Sequence, residues 1–177
     1  MDMQADHAWK NYNCRDPFAL NKLILFLDNT FTTYQNDLNK IRYLAQQIKE
    51  GIEKIDPFIQ QSTQTVCPSC KDVCCVSEHG YYNVEDLVYH YALGLKPQHC
   101  EFGKKTSDPC QFLMKKGCCL KRSLRPSGCN WYFCDSLLDD IETRSDYRKF
   151  DDSLQEVADL WIKMMDEFTR ISSLQHS

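Results

Sequence analysis

Residues 31–59 read FTTYQNDLNKIRYLAQQIKEGIEKIDPFI, and their apolar positions decide the fold. Phe31, Tyr34, Leu38, Ile41, Ala45, Ile48, Ile52, Ile55 and Ile59 follow one another at alternating steps of three and four. With 3.6 residues per turn, such steps draw one stripe along a helix, and a strand's period of two does not produce them. The stripe is an a/d seam, the signature of a helix packed lengthwise on another helix. Thr30 suits the N-cap, where a hydroxyl accepts from an otherwise unpaired backbone N–H. Pro57 has no N–H to give, so it is expected to end or kink the helix near Asp56.

A second seam lies near the other end of the chain. Phe150, Leu154, Val157, Trp161, Met164, Phe168 and Ile171 step by four and three in the same way. One seam needs a partner, and the other is the nearest candidate, which gives an antiparallel pair of long helices. The alternative is that one seam docks a second copy of the chain. A shorter helix is expected from Pro17 to about Asp28, with Asp16 as its cap and Pro17 in its first turn. Asn83 followed by VEDLVYHYALGL predicts another: Asn83 caps, Glu85 and Asp86 sit in the first turn, and Gly94 lies just past the end. A further short helix is expected over Ser136–Glu142. Residues 95–134 have little apolar periodicity and read as loop ordered by ligation. YYNV and NWYF are the only candidate strands.

Between the seams the composition changes. The chain has 177 residues and eleven cysteines, and ten of the eleven fall between residues 67 and 134. An odd count and two vicinal pairs suit disulfides poorly, and the first ten residues show no basic segment followed by an apolar one, so no export signal is legible. The longest apolar stretch, Leu23–Leu27, is far below the ~18 residues of a membrane span. The reading is a cytoplasmic protein whose thiols stay reduced, and clustered reduced thiols point to metal. The C-x2-C pair of Cys67 and Cys70 lets two thiolates hold one ion from a tight turn, and Cys74 and Cys75 follow at once. A second group follows in Cys110, Cys118, Cys119, Cys129 and Cys134. Together they suffice for one ion or cluster, or for two.

The motifs CPSCKDVCC, CQFL, GCCL, RPSGC and the FC that closes CNWYFC stand in that order over residues 67–134. In this they resemble the YkgJ-type cysteine-cluster proteins, a family described as zinc- or iron-chelating. The resemblance covers about two-fifths of the chain and neither long helix. It implies metal ligands at Cys67, Cys70, Cys74, Cys75, Cys110, Cys118, Cys129 and Cys134. Two departures leave choices open. Three residues rather than two precede the CC pair, so either Cys74 or Cys75 takes the family's position, and Cys119 is extra beside Cys118. Longer relatives that methylate flagellin lysines carry a similar cluster, so the resemblance also allows an enzymatic role.

Residues 100–134 carry seven cations and two anions, +5 in a chain of net −4. Four thiolates on a divalent ion leave −2, and such cations lower both that charge and the thiol pKa. A solvated basic loop explains the same numbers. A nucleic-acid face with Trp131, Tyr132 and Phe133 as stacking residues is disfavoured, because the rest of the chain carries −9 and repels phosphate. His79 and His99 lie within ligand reach of cysteines, and capping or surface roles fit them as well. Cys14 and Cys100 read as ordinary thiols. A redox switch on Cys100 and Cys119 is a further alternative.

All-thiolate tetrahedral sites suit zinc first and iron–sulfur clusters second. The radical-SAM spacing fails because position 77 is Ser, and ferredoxin spacing is missing. No GxGxxG, GxxxxGK[ST], HExxH or GxSxG occurs, and Glu78 beside His79 is the only acid–histidine pair near the first cysteine group. The sequence therefore describes a mainly α protein: long antiparallel amphipathic helices framing a loop-rich, metal-stapled cysteine module with one short helix. Its segments are 1–62, 63–135 and 136–177 within one compact domain. The expected cofactor is zinc, or else an iron–sulfur cluster. An unidentified protein partner is allowed, a membrane is not expected, and no catalytic residue is legible.

Overall fold

The computed structural model describes residues 8–71 and 73–176. Residues 1–7, which bear on the reading of the N-terminus, and Asp72, within the spacer before the CC pair, lie outside them. Helix makes up 64% of the chain and strand 4%, as a mainly α protein requires. Helix α1 spans Pro17–Thr33, α2 Asn39–Val66, α3 Val84–Ala92, α4 Gly128–Trp131, α5 Asp135–Glu142 and α6 Tyr147–Ser172. Strands β1 (Leu113–Met114) and β2 (Gly117–Cys118) form one antiparallel hairpin.

The two seams find each other. Helices α2 and α6 run antiparallel: Lys40 pairs with Glu167 at 3.1 Å near one end. Gly51 faces Val157 midway, and Phe58 stacks on Phe150 at 4.3 Å near the other end. Ile41, Ala45, Ile48, Ile52, Ile55 and Ile59 are fully or almost fully buried, as are Val157, Met164, Phe168 and Ile171. Helix α1 and α3 close the upper core through Leu23, Leu27, Leu87 and Val88. Helix α5 closes a second, smaller core at the far end of α2 through Leu137 and Ile141.

Three expectations need correction. Thr30 does not cap the second helix. It lies inside α1, buried, with its hydroxyl donating back to the Phe26 carbonyl at 2.8 Å. Helix α1 therefore runs five residues past Asp28, because Leu23, Leu27 and Thr30 continue one buried face. Phe31 then belongs to α1 and Tyr34 to the turn; their spacing happens to stay in phase with the α2 seam. Pro57 does not end α2, which continues to Val66. A proline inside a helix costs ~3 kcal/mol, and on its C-terminal side burial of Ile59 and stacking of Phe58 on Phe150 offset it. YYNV and NWYF are not strands; the first leads into the α3 cap and the second is split by α4, while the paired strands lie at CQFLMKKGCC.

Local rules hold at α1 and α3. Asp16 accepts from the Phe18 N–H at 2.9 Å. Asn83 accepts from Asp86 N–H at 2.7 Å while Asp86 accepts from Asn83 N–H at 2.9 Å, a full capping box. Gly94 follows the helix at φ +72°, where a side chain is strained.

The close approach at Gly51 is testable. A Cβ there would stand 2.4 Å from Val157 Cγ2. Valine is stiff at χ1, so the helices must part. Alanine gains up to ~1 kcal/mol of helix propensity, yet overpacking costs ~1–3 kcal/mol. We expect Gly51→Ala to lower the melting temperature and Gly51→Ala/Val157→Ala to recover part of it. Equal melting of the single variant and wild type would refute this.

His90 on α3 is 2% exposed, and neither ring nitrogen has a hydrogen-bond partner among the described residues. Burial pushes its pKa down to about 4. The unfolded chain takes up this proton near pH ~6.5 and the folded chain only near 4, so stability falls as pH drops between the two, by about 2 kcal/mol at pH 5. Asp86 opposes it: burial raises its pKa to about 6, so its contribution improves as pH falls from 6 towards ~3.8. The wild-type profile shows only the difference. Expected is that His90→Leu loses less melting temperature between pH 7 and pH 5 than wild type; parallel profiles would refute the assignment.

Candidate metal centre

Helix α2 delivers the first thiols. It runs into a 3-10 turn, Cys67–Ser69, which closes with Cys70 N–H donating to the Cys67 carbonyl at 3.2 Å. The helix continues through residues 62–63 to Val66. The next strip, 74–78, pairs with 106–110. Ser77 N–H donates to the Asp108 carbonyl, Glu78 N–H to the Thr106 carbonyl and Cys110 N–H to the Cys75 carbonyl, the last at 2.9 Å.

The hairpin places Cys118. Leu113 pairs with Cys118 and Met114 with Gly117, around a two-residue turn of Lys115 and Lys116, and Gly117 takes φ +106°. Neighbouring strand residues point to opposite faces. Cys118 lines the cavity described below, whereas Cys119 is exposed and does not. Pro126 turns the chain into α4, its carbonyl accepting from Cys129 N–H at 2.9 Å. Asp86 holds this turn to α3 by accepting from Ser127 N–H at 3.0 Å. Arg125 donates to the Leu120 carbonyl at 3.0 Å. Cys134 stands at the N-cap of α5.

The result is a cavity of about 320 Å³ lined by Cys67, Cys74, Cys75, Cys110, Cys118 and Cys129. Cys134 lies near Cys74, and Cys70 near Cys67. All eight expected thiols thus gather at one end of α2, from segments more than sixty residues apart in sequence. His79 also lines the cavity, stacked on Tyr132 at 5.5 Å, while His99 is exposed and does not. Cys14 and Cys100 are buried elsewhere, and burial raises the pKa of both. All eleven thiols are free, and among the described residues no three His, Cys, Asp or Glu side chains already converge on one point. The thiols ring a space.

The charge balance bears on what fits that space. Burial and then the nearby Cys118 push the Cys129 thiol up to about 11, against the pull of Arg125 and Arg122. Cys74 is raised through its hydrogen bond with Cys75 and then by burial; Cys75 is lowered by the same bond. Cys67 and Cys110 are raised by burial first. Thiols packed like this ionise together only if a cation joins them, and a divalent ion reverses their preference for the proton. The donor set therefore fits a thiophilic metal.

Arg122, which sequence reading treated as one more cation of a basic loop, is 4% exposed. It pairs with Asp56 of α2 at 2.5 Å and donates to the Cys129 carbonyl at 3.1 Å. Its partner lies sixty-six residues away, and no local pattern marks such a pair. No protein-family model, no curated protein and no solved structure matches this chain.

Proposed function

We propose that this is a metal-binding protein whose cysteine module holds zinc through thiolates, as a structural element of a small helical protein in a reducing compartment such as the cytoplasm. The observation that carries the reading is the convergence of six cysteines from four separate segments on one cavity, with the other two expected ligands beside them. The order of the five cysteine motifs, which resembles the YkgJ-type chelating proteins, supports the same reading. Bound zinc supplies charge neutralisation and cross-linking, and no open coordination position or general base is required of the chain. On this reading the metal stabilises a helical protein that binds a partner or senses metal.

An iron–sulfur cluster is the second reading. It is favoured by the volume of the cavity, about 320 Å³, which exceeds what one tetrahedral ion fills. Anaerobic purification followed by elemental analysis and a visible spectrum separates the two. Stoichiometric zinc in a colourless protein is expected. Iron with acid-labile sulfide and a brown colour would replace zinc by the second reading, and protein free of both metals, unable to take up either, would overturn both.

A further inference from the structure

Sequence order divides the eight thiols into an early four, Cys67, Cys70, Cys74 and Cys75, and a late four, Cys110, Cys118, Cys129 and Cys134. The fold divides them differently. Helix α5 packs on the last turns of α2 through Leu137 and Ile141 against Ile55 and Ile59, and Val66 and Cys134 lie on that same small core. This carries Cys134 back to the turn that presents Cys67 and Cys70. Cys134 also lies close enough to act on Cys74, and the thiols that bear on Cys67 most strongly are Cys74, Cys134 and Cys70.

Cys75 goes the other way. Its carbonyl accepts from Cys110 N–H, and the thiols bearing on it most, apart from its neighbour Cys74, are Cys129 and Cys110. Cys118 in turn bears on both Cys110 and Cys129. The backbone explains the parting of the vicinal pair. Val76 N–H donates to the Cys74 carbonyl at 2.9 Å, which makes a three-residue turn with Cys75 at its corner.

Resting on the metal reading, we infer that the chain holds two four-thiolate centres, one on Cys67, Cys70, Cys74 and Cys134 and the other on Cys75, Cys110, Cys118 and Cys129. The two meet at the Cys74–Cys75 pair. Their surroundings differ. Arg125 and Arg122 stand near Cys129 and Lys104 near Cys110, so the −2 left by four thiolates on a divalent ion is offset at the second centre. Cys67 of the first centre is exposed. The first centre is therefore the more exchangeable.

The test counts zinc in the full-length protein by native mass spectrometry and elemental analysis. Wild type is expected to bind two zinc ions. Cys70→Ser/Cys134→Ser and Cys75→Ser/Cys110→Ser should each retain one, and Cys70→Ser/Cys110→Ser none. Sequence-order sorting makes the opposite assignment: Cys70→Ser/Cys134→Ser would then strike both centres and empty the protein, which overturns the inference. Saturation of wild type at one zinc also overturns it. Wild type that takes up no metal at all removes the metal reading itself, a distinct outcome. Should the variants not fold, cobalt(II) titration of wild type decides. Two equivalents, each with the intense charge-transfer bands of four thiolates, are expected; one equivalent, or the weaker bands of fewer thiolates, refutes two four-thiolate centres.

Discussion

Stripping metal from the full-length protein with excess chelator is expected to disorder residues 67–81 and 95–134 while leaving α2 and α6 paired. The two parts of the chain draw stability from different sources. Helices α2 and α6 bury a continuous apolar seam, with Ile41, Ile48, Met164 and Phe168 inaccessible to solvent. The cysteine strips have two-residue strands, short turns and few buried apolar side chains, Phe112 being the main one. Structural zinc in small modules contributes ~10–16 kcal/mol to folding, far above what such strips bury by themselves. Helix α3 sits inside the module in sequence but outside it in stability, because Leu87, Val88 and Tyr89 belong to the main core. Hydrogen exchange read by mass spectrometry should therefore lose protection on both sides of α3, by roughly two orders of magnitude or more, and retain it within α3. Readdition of zinc should restore it. Unchanged exchange in residues 106–134 after verified metal removal would sink the structural role.

Asp56→Ala is expected to cost ~3 kcal/mol or more, far above an ordinary surface acid. Its partner Arg122 is 4% exposed, and desolvation already works against the guanidinium charge. Removing Asp56 leaves a buried cation whose remaining hydrogen-bond partner among the described residues is the Cys129 carbonyl. Arg122→Leu should be milder for global stability, since Asp56 is about one-third exposed and can be hydrated. It should nevertheless loosen metal binding, because the same arginine fixes the backbone of Cys129. The double variant should be more stable than Asp56→Ala alone. Chemical denaturation and zinc competition on the four proteins provide the comparison. Equal, small losses for both single variants would mean that the pair is an ordinary surface ion pair.

The contrast between these two experiments follows the contrast between what is local and what is distant in this chain. The 3–4 seams of α2 and α6, the Asp16–Pro17 start of α1 and the Asn83 capping box of α3 all rest on interactions within four residues, and each was legible. Thr30 was misread because its capping preference is local while the continuation of α1 is decided by a buried face against other helices. The end expected at Pro57 failed for the same reason: its backbone penalty is local, and the burial of Ile59 and the Phe58–Phe150 stack that outweigh it are tertiary. The hairpin around Lys115–Lys116 escaped because two-residue strands carry no periodicity.

For the candidate site, the sequence by itself put eleven thiols on offer, and the order of their motifs, through its resemblance to the YkgJ-type proteins, singled out eight as the expectation. It also set the residue types that make zinc or iron–sulfur chemistry the expectation. Only the tertiary structure decided which thiol neighbours which: that α5 carries Cys134 back to Cys67, that Cys75 turns towards Cys110 and Cys129, and that Arg122 is buried against Asp56. Spacing along a chain restricts partners a few residues apart, whereas thiols sixty residues apart are brought together by helix packing, and the seams that direct that packing lie outside the cysteine motifs altogether.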